Sequence, residues 1–131
     1  MQIVGIGTEI VECVRIAQMI ERHREQFISR VFTEHEIAIC RSRRRTTEHF
    51  AARFAAKEAV WKCLAPKSTR SIHWVEIEIQ DRPGDPPRVV LHGSARDLAL
   101  SRQVSDVFVT FAHSRHYATA HAIAVRNSTS A

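Results

Sequence analysis

FAARFAAKEAVWK, residues 50–62, is the stretch from which the rest of the chain is best approached. On a helical wheel of about 100° per residue, Phe54, Trp61 and Leu64 fall within about 40° of Phe50 and form an apolar stripe. Lys57 falls in the middle of that stripe, Glu58 lies just beside it, and Lys62 follows one turn after Glu58. Ala51, Ala52, Ala55, Ala56 and Ala59 clear the remaining faces of bulk, so a strand or a neighbouring chain can approach closely. Two readings stay open. In the first, both lysines lay their stems over apolar surface with their heads in water, and Glu58 forms an ordinary surface pair with Lys62. In the second, the stripe lines a cleft or a subunit contact, because a lysine centred on an apolar face is otherwise costly.

The flanking sequence favours the second. IVGIGTEIV, residues 3–11, has a strand's composition, yet Gly5 and Gly7 weaken a strand unless something must approach its backbone. Glu9 sits beside them. Two carboxylates, Glu9 from a strand and Glu58 from a helix, suit a hard divalent cation completed by substrate phosphates and water. Helical spacing predicts a helix over 12–22. Thr33 and Glu36 form a capping box with Phe32 as staple. Thr47 is a candidate cap for the long helix, which Pro66 stops at about Ala65. After the loop LAPKSTRS, the segment IHWVEIEIQ alternates as a strand, DRPGDPP turns, and RVVLHG forms another strand. Ser94, with Asp97 three residues later, is a candidate cap for a short helix. The segment 106–125 reads as two strands joined near Ser114 and Arg115, with Ala118, Ala120, Ala122 and Ala124 on one face. This order predicts an α+β fold, a mainly antiparallel sheet packed against a long central helix, in a single domain over 1–131 with 126–131 as a flexible tail.

Composition bounds the partners. The formal charge is +5, from 19 basic and 14 acidic residues, so an anionic partner is expected: nucleic acid, a phosphorylated cofactor or an acidic protein. Cys13, Cys40 and Cys63 are widely spaced in apolar surroundings and read as buried thiols in a reducing compartment. No apolar run approaches the ~18 residues of a membrane span, and no leader peptide is evident, so a cytoplasmic protein is expected.

GIGTEIVECVRI (5–16), RVFTEHEIAIC (30–40), FAARFAAKEAVWKCL (50–64) and FAHSRHYATAHAIAV (111–125) together resemble bacterial holo-[acyl-carrier-protein] synthase, in order, over essentially residues 2–125. The resemblance implies transfer of the 4′-phosphopantetheine arm of coenzyme A to a serine of apo acyl carrier protein, releasing adenosine 3′,5′-bisphosphate. It implies Mg²⁺ on Glu9 and Glu58, and Lys62 near the leaving phosphate, in some accounts as general acid. Lys57 becomes an anion contact or a structural support. Arg53 is assigned to the cofactor or an interface, and His113 to the nucleotide and metal region. Arg15 is implied in carrier binding, and family members are trimers with sites between subunits.

The chain departs from the family in places. Glu9 stands where an aspartate is usual, APKSTR replaces a glycine-rich loop in which Lys67 and Arg70 could meet phosphate, and serine follows His113. Arg15, Arg22, Arg24 and Arg30 suit docking of an acidic carrier, and the run Arg41 to Arg45 could contact the carrier or the 3′-phosphate. The other histidines show no ligand spacing. A base must take the serine proton, and Glu58 is the candidate for an indirect role. The competing class is a basic non-enzymatic module for nucleic acid or a phosphoprotein, which leaves the KEA helix unexplained. A further alternative is an inactive relative. Neither nucleic acid nor a membrane is an expected partner.

Overall fold

The computed structural model describes residues 1–66 and 72–128. Lys67 and Arg70 therefore lie outside the described residues. The chain runs β1 (Gln2–Glu12), α1 (Cys13–His23), α2 (Glu25–Val31), α3 (Glu34–Arg41), α4 (Thr46–Cys63), a 3₁₀ turn (Trp74–Glu76), β2 (Ile77–Arg82), β3 (Asp85–Leu91), α5 (Gly93–Ser101), β4 (Asp106–His113) and β5 (Tyr117–Arg126). Among the described residues the strands form two sheets, β1-β5-β4 and β2-β3, with every pair antiparallel. The α+β architecture around a long helix is the expected one. No helix among the described residues is long and apolar enough to cross a membrane.

The alanine face of α4 is the contact with the larger sheet. Ala51, Ala52, Ala55, Ala56 and Ala59 are fully buried, and Ala118, Ala120, Ala122 and Ala124 of β5 meet them from the opposite side. Small residues on both surfaces let helix and sheet come closer than larger side chains allow. On β1 the approach is tighter still. A Cβ on Gly5 would lie 2.1 Å from the Cys63 carbonyl oxygen, and one on Gly7 would lie 1.9 Å from that of Ala59. The two glycines of GIG are the positions where strand backbone meets helix backbone. The aromatic side of α4 packs elsewhere, with Phe50 against Phe32 and Phe54 against Phe27 and Trp74.

Lys57 lies neither in water nor at a cleft. It is fully buried, its ammonium 2.7 Å from the equally buried Glu36 and donating to the carbonyls of Trp74 (3.1 Å) and Ile77 (2.6 Å). All three of its donors are used. Glu36 in turn accepts from the backbone N–H groups of Thr33 and Ile79, both at 2.8 Å. Burial pushes the Lys57 ammonium down from its ordinary range, while Glu36 pulls it back up. The expected Thr33–Glu36 capping box is present, and its glutamate also serves as counterion to the KEA lysine.

Several local expectations shift. The segment 72–80 is a strand only from Ile77, because Lys57 draws the carbonyls of Trp74 and Ile77 toward itself and a 3₁₀ turn forms. Thr47 does not cap α4. The helix starts at Thr46, after Arg45, with no side-chain cap bond. It ends at Cys63, and Ala65 takes φ +52° before Pro66, which excludes right-handed helical backbone at the preceding residue. Ser94 does not cap α5 either. Its N–H and O–H both go to the Glu76 carboxylate, and Gly93 is required there because its φ is +55° and a Cβ would strike that carboxylate. Helix α2, an element beyond those expected, follows a break at Arg24 with φ +48°. Arg126 belongs to β5 rather than to the tail, bonded to Gln2 and to the Arg102 carbonyl.

Candidate active site

Two clusters of charged side chains flank α4. The first lies on the β1 side. Glu9 points toward the helix, Glu58 projects from it half-buried, and together with Arg15, Phe54 and Tyr117 they line a cleft of about 250 Å³. The carboxylates of strand and helix therefore meet, as their residue types suggested. Lys62 pairs with Glu9 at 2.7 Å and not with Glu58, so the ordinary helical Glu58–Lys62 pair is not formed. The Glu58 carboxyl is pushed up to about 7, first by burial and then by the negative charge of Glu9, against the pull of Lys62 and Arg15. Two acids at close quarters, one of them reluctant to ionise, form a site that a cation would relieve. Among the described residues no set of three or more His, Cys, Asp or Glu side chains is placed to hold a metal. Two carboxylates match an ion that takes its remaining ligands from phosphate and water.

The second cluster lies on the β4 side, where the first turns of α4 meet the end of the strand. His113 Nδ1 is 3.3 Å from the Glu48 carboxylate, and its ring stands edge-on to His49 with centroids 4.7 Å apart. Arg53 is buried beneath them, paired with Asp81 at 2.6 Å, donating to the His49 carbonyl at 3.2 Å, and set over the Phe111 ring. Arg45 lies 3.7 Å from Glu48. His49, one of the histidines without ligand spacing, and Glu48 were not expected at the site. The available signal was the spacing of His49 one turn before Arg53, which places both on one helical face.

Helical geometry separates the clusters. Glu58 lies nine positions after His49, about 14 Å along the axis, and points to the opposite side of the helix. Arg15 and Arg22 are exposed on α1. Beside them, Met19, Phe27, Phe54 and Trp74 line an apolar groove of about 330 Å³ whose rim carries His23 and Arg30. Phe54 is shared between this groove and the Glu58 cleft.

The chain as a whole corresponds to a known class. The family model of the 4′-phosphopantetheinyl transferase superfamily matches residues 5–125, and the chain belongs to that family. It is an enzyme of that class. The holo-[acyl-carrier-protein] synthase of Rhodopirellula baltica is 45% identical over 123 residues, 94% of this chain and 98% of that protein. That of Moorella thermoacetica is 43% identical over 117 residues, 89% and 90% of the two chains. Among solved structures, the holo-ACP-synthase of Plasmodium yoelii superposes with a TM-score of 0.83 at 27% identity, covering 97% of this chain and 98% of that one. The Bacillus anthracis holo-(acyl-carrier-protein) synthase in complex with CoA (3′,5′-ADP) gives a TM-score of 0.77 at 27% identity, covering 97% and 100%.

Proposed function

We propose that this chain transfers the 4′-phosphopantetheine group of coenzyme A to a serine of an apo acyl carrier protein, with Mg²⁺ on Glu9 and Glu58. The observation that carries this reading is the meeting of Glu9, Glu58 and Lys62 on one flank of α4 in a chain of this family. Glu9 and Glu58 would hold the ion, which would supply charge neutralisation at the phosphates, the dominant requirement of phosphoryl transfer. Glu58 is assigned an indirect part in taking the serine proton, through a water beside its carboxylate. Lys62, exposed and paired with Glu9, offsets the charge that develops on the departing adenosine bisphosphate. Arg53 and His113 take the nucleotide end of the donor, and Lys67 is assigned there too. The carrier docks on α1 and α2, its acidic surface toward Arg15 and Arg22 and an apolar residue in the Met19–Phe27–Trp74 groove.

The active unit in this reading is a trimer. The pyrophosphate and 3′-phosphate of one coenzyme A are separated by a single ribose, whereas the two clusters of one chain stand on opposite flanks of α4. One donor therefore spans the Glu58 cluster of one copy and the Arg53–His113 cluster of another. The outer face of the larger sheet suits the contact: Ile6, Ile123 and Phe108 form one cross-strand row, are 64%, 38% and 52% exposed, and share that face with exposed Ile10 across the polar row of Thr8, His121 and Thr110.

The test is the intact mass of an apo carrier incubated with this protein, coenzyme A and Mg²⁺. A gain of one phosphopantetheine, absent without metal and absent when the acceptor serine is replaced, is expected. No gain with Mg²⁺ or Mn²⁺ and the organism's own carrier would sink the proposal. Ile6→Arg is expected to convert the trimer to monomer in light scattering and to lower transfer by ~10²-fold, the scale of a misplaced catalytic half. A fully active monomer would refute the shared site.

A further inference from the structure

The cluster at the start of α4 contains more cation than its ion pairs consume. Arg43, Arg45, Arg53, His49 and His113 converge there, and the acids facing them are Glu48 and Asp81. Asp81 is held by Arg53, and Glu48 is divided between Arg45 and His113. His49 has the least compensated position. It is half-buried, its Nδ1 lies 3.4 Å from an Arg53 nitrogen, and its ring abuts His113. A guanidinium is always a donor, so the neutral ring presents Nδ1 to Arg53 and carries its proton on Nε2. Burial first, then the charges of His113, Arg53 and Arg43, hold its imidazole below the ordinary range, with Glu48 opposing. Arg53 Nε is buried without a protein partner. An excess of positive charge around a neutral imidazole, with His113 and Arg45 opening the same cluster to solvent, describes a receptor for a dianion with several acceptor oxygens.

We propose that His49 is a specificity residue for the terminal 3′-phosphate of coenzyme A, joining His113, Arg45 and Arg53 around that phosphomonoester and taking up a solvent proton as it binds. The inference rests on the transferase reading above, which placed Arg53 and His113 at the nucleotide but gave His49 no part. The arriving dianion reverses the local field and draws the Arg53 N–H away from Nδ1, so the ring nitrogen that was costly to protonate becomes favourable to protonate. Affinity for a 3′-phosphorylated nucleotide then rises as pH falls, by up to ~10-fold per pH unit for one linked proton, over the range in which the phosphate remains dianionic.

The experiment is calorimetric titration of the whole protein with adenosine 3′,5′-bisphosphate and with adenosine 5′-monophosphate between pH 8.5 and 6.5, each in two buffers of different ionisation enthalpy. The wild type is expected to take up protons with the bisphosphate and not with the monophosphate. His49→Gln, which can donate but cannot titrate, loses the uptake and flattens the pH dependence. His49→Phe does the same and also narrows the preference for coenzyme A over 3′-dephospho-coenzyme A in the transfer assay. Undiminished uptake in His49→Gln overturns the proposal, as does uptake lost only in His113→Gln. If the carrier is modified but the bisphosphate shows no proton uptake, this inference fails alone. If the carrier is not modified at all, the transferase reading fails and takes the inference with it.

Discussion

Glu58→Gln is expected to lower kcat/KM for phosphopantetheine transfer by ~10²–10⁴-fold, the range for loss of a positioned proton acceptor, with the fold unharmed. The neutral amide keeps the volume of the carboxylate but neither accepts a proton nor neutralises a cation. The same substitution has a stability signature of opposite sign. Because the folded Glu58 carboxyl is pushed up to about 7, it keeps its proton where the unfolded chain, near the ordinary 4.5, has lost it. The native state then binds more protons, so this group's contribution to stability falls as pH rises between those values and stays low above the folded one. Glutamine does not titrate. In metal-free buffer, the melting temperature of Glu58→Gln should match or exceed that of the wild type at pH 8, with the gap closing toward pH 4.5. A variant that is both inactive and markedly less stable at pH 8 would assign Glu58 to the fold instead.

The second large effect belongs to the neighbouring residue. Lys57→Met should cost ~3–5 kcal/mol, because it leaves the Glu36 carboxylate buried and uncompensated together with two carbonyls that lose their donor. For a chain of this length that corresponds to a fall of roughly 10–20 °C in melting temperature. The double variant Lys57→Met/Glu36→Gln removes both charges and should recover more than half of the loss. Transfer activity should return with stability if Lys57 is a support. Restored stability without activity would place its ammonium on the donor, and a double variant no more stable than the single one would show that the pair is not the source of the loss.

How far the sequence could be read follows from what each feature depends on. The helix α4, the strand around GIG, the Thr33–Glu36 cap and the alanine face of β5 are local patterns, visible as period and spacing. Glu9 and Glu58 could be nominated together, since a strand glycine pair and an alanine-rich helix imply close contact. The partner of Lys57 could not be seen. Glu36 was fully explained as a capping residue, and nothing local shows that its carboxylate also faces a lysine 21 positions later. The errors at Thr47 and Ser94 have the same origin. Each has a capping residue's chemistry, but α4 begins without a side-chain cap, and at α5 the Glu76 carboxylate supplies the acceptor that Ser94 was expected to provide. His49 was passed over because its significance lies in His113, which reaches it from the far end of the chain.

The glycine seam between β1 and α4 acts as a gauge block. With Gly5 set against the Cys63 carbonyl and Gly7 against that of Ala59, the two backbones have no side chain left to trim and no room to draw together. The distance between the main chains that carry Glu9 and Glu58 is thereby preset from below. Any adjustment of the gap between their carboxylates falls to side-chain length and torsion. A glutamate at position 9 in place of the family's usual aspartate changes that gap by one methylene and one extra rotor, on a frame that cannot shift inward to compensate. In the proposed reading, the tuning of an ion held here would be confined to the reach of a single side chain, which Lys62 already holds at one end.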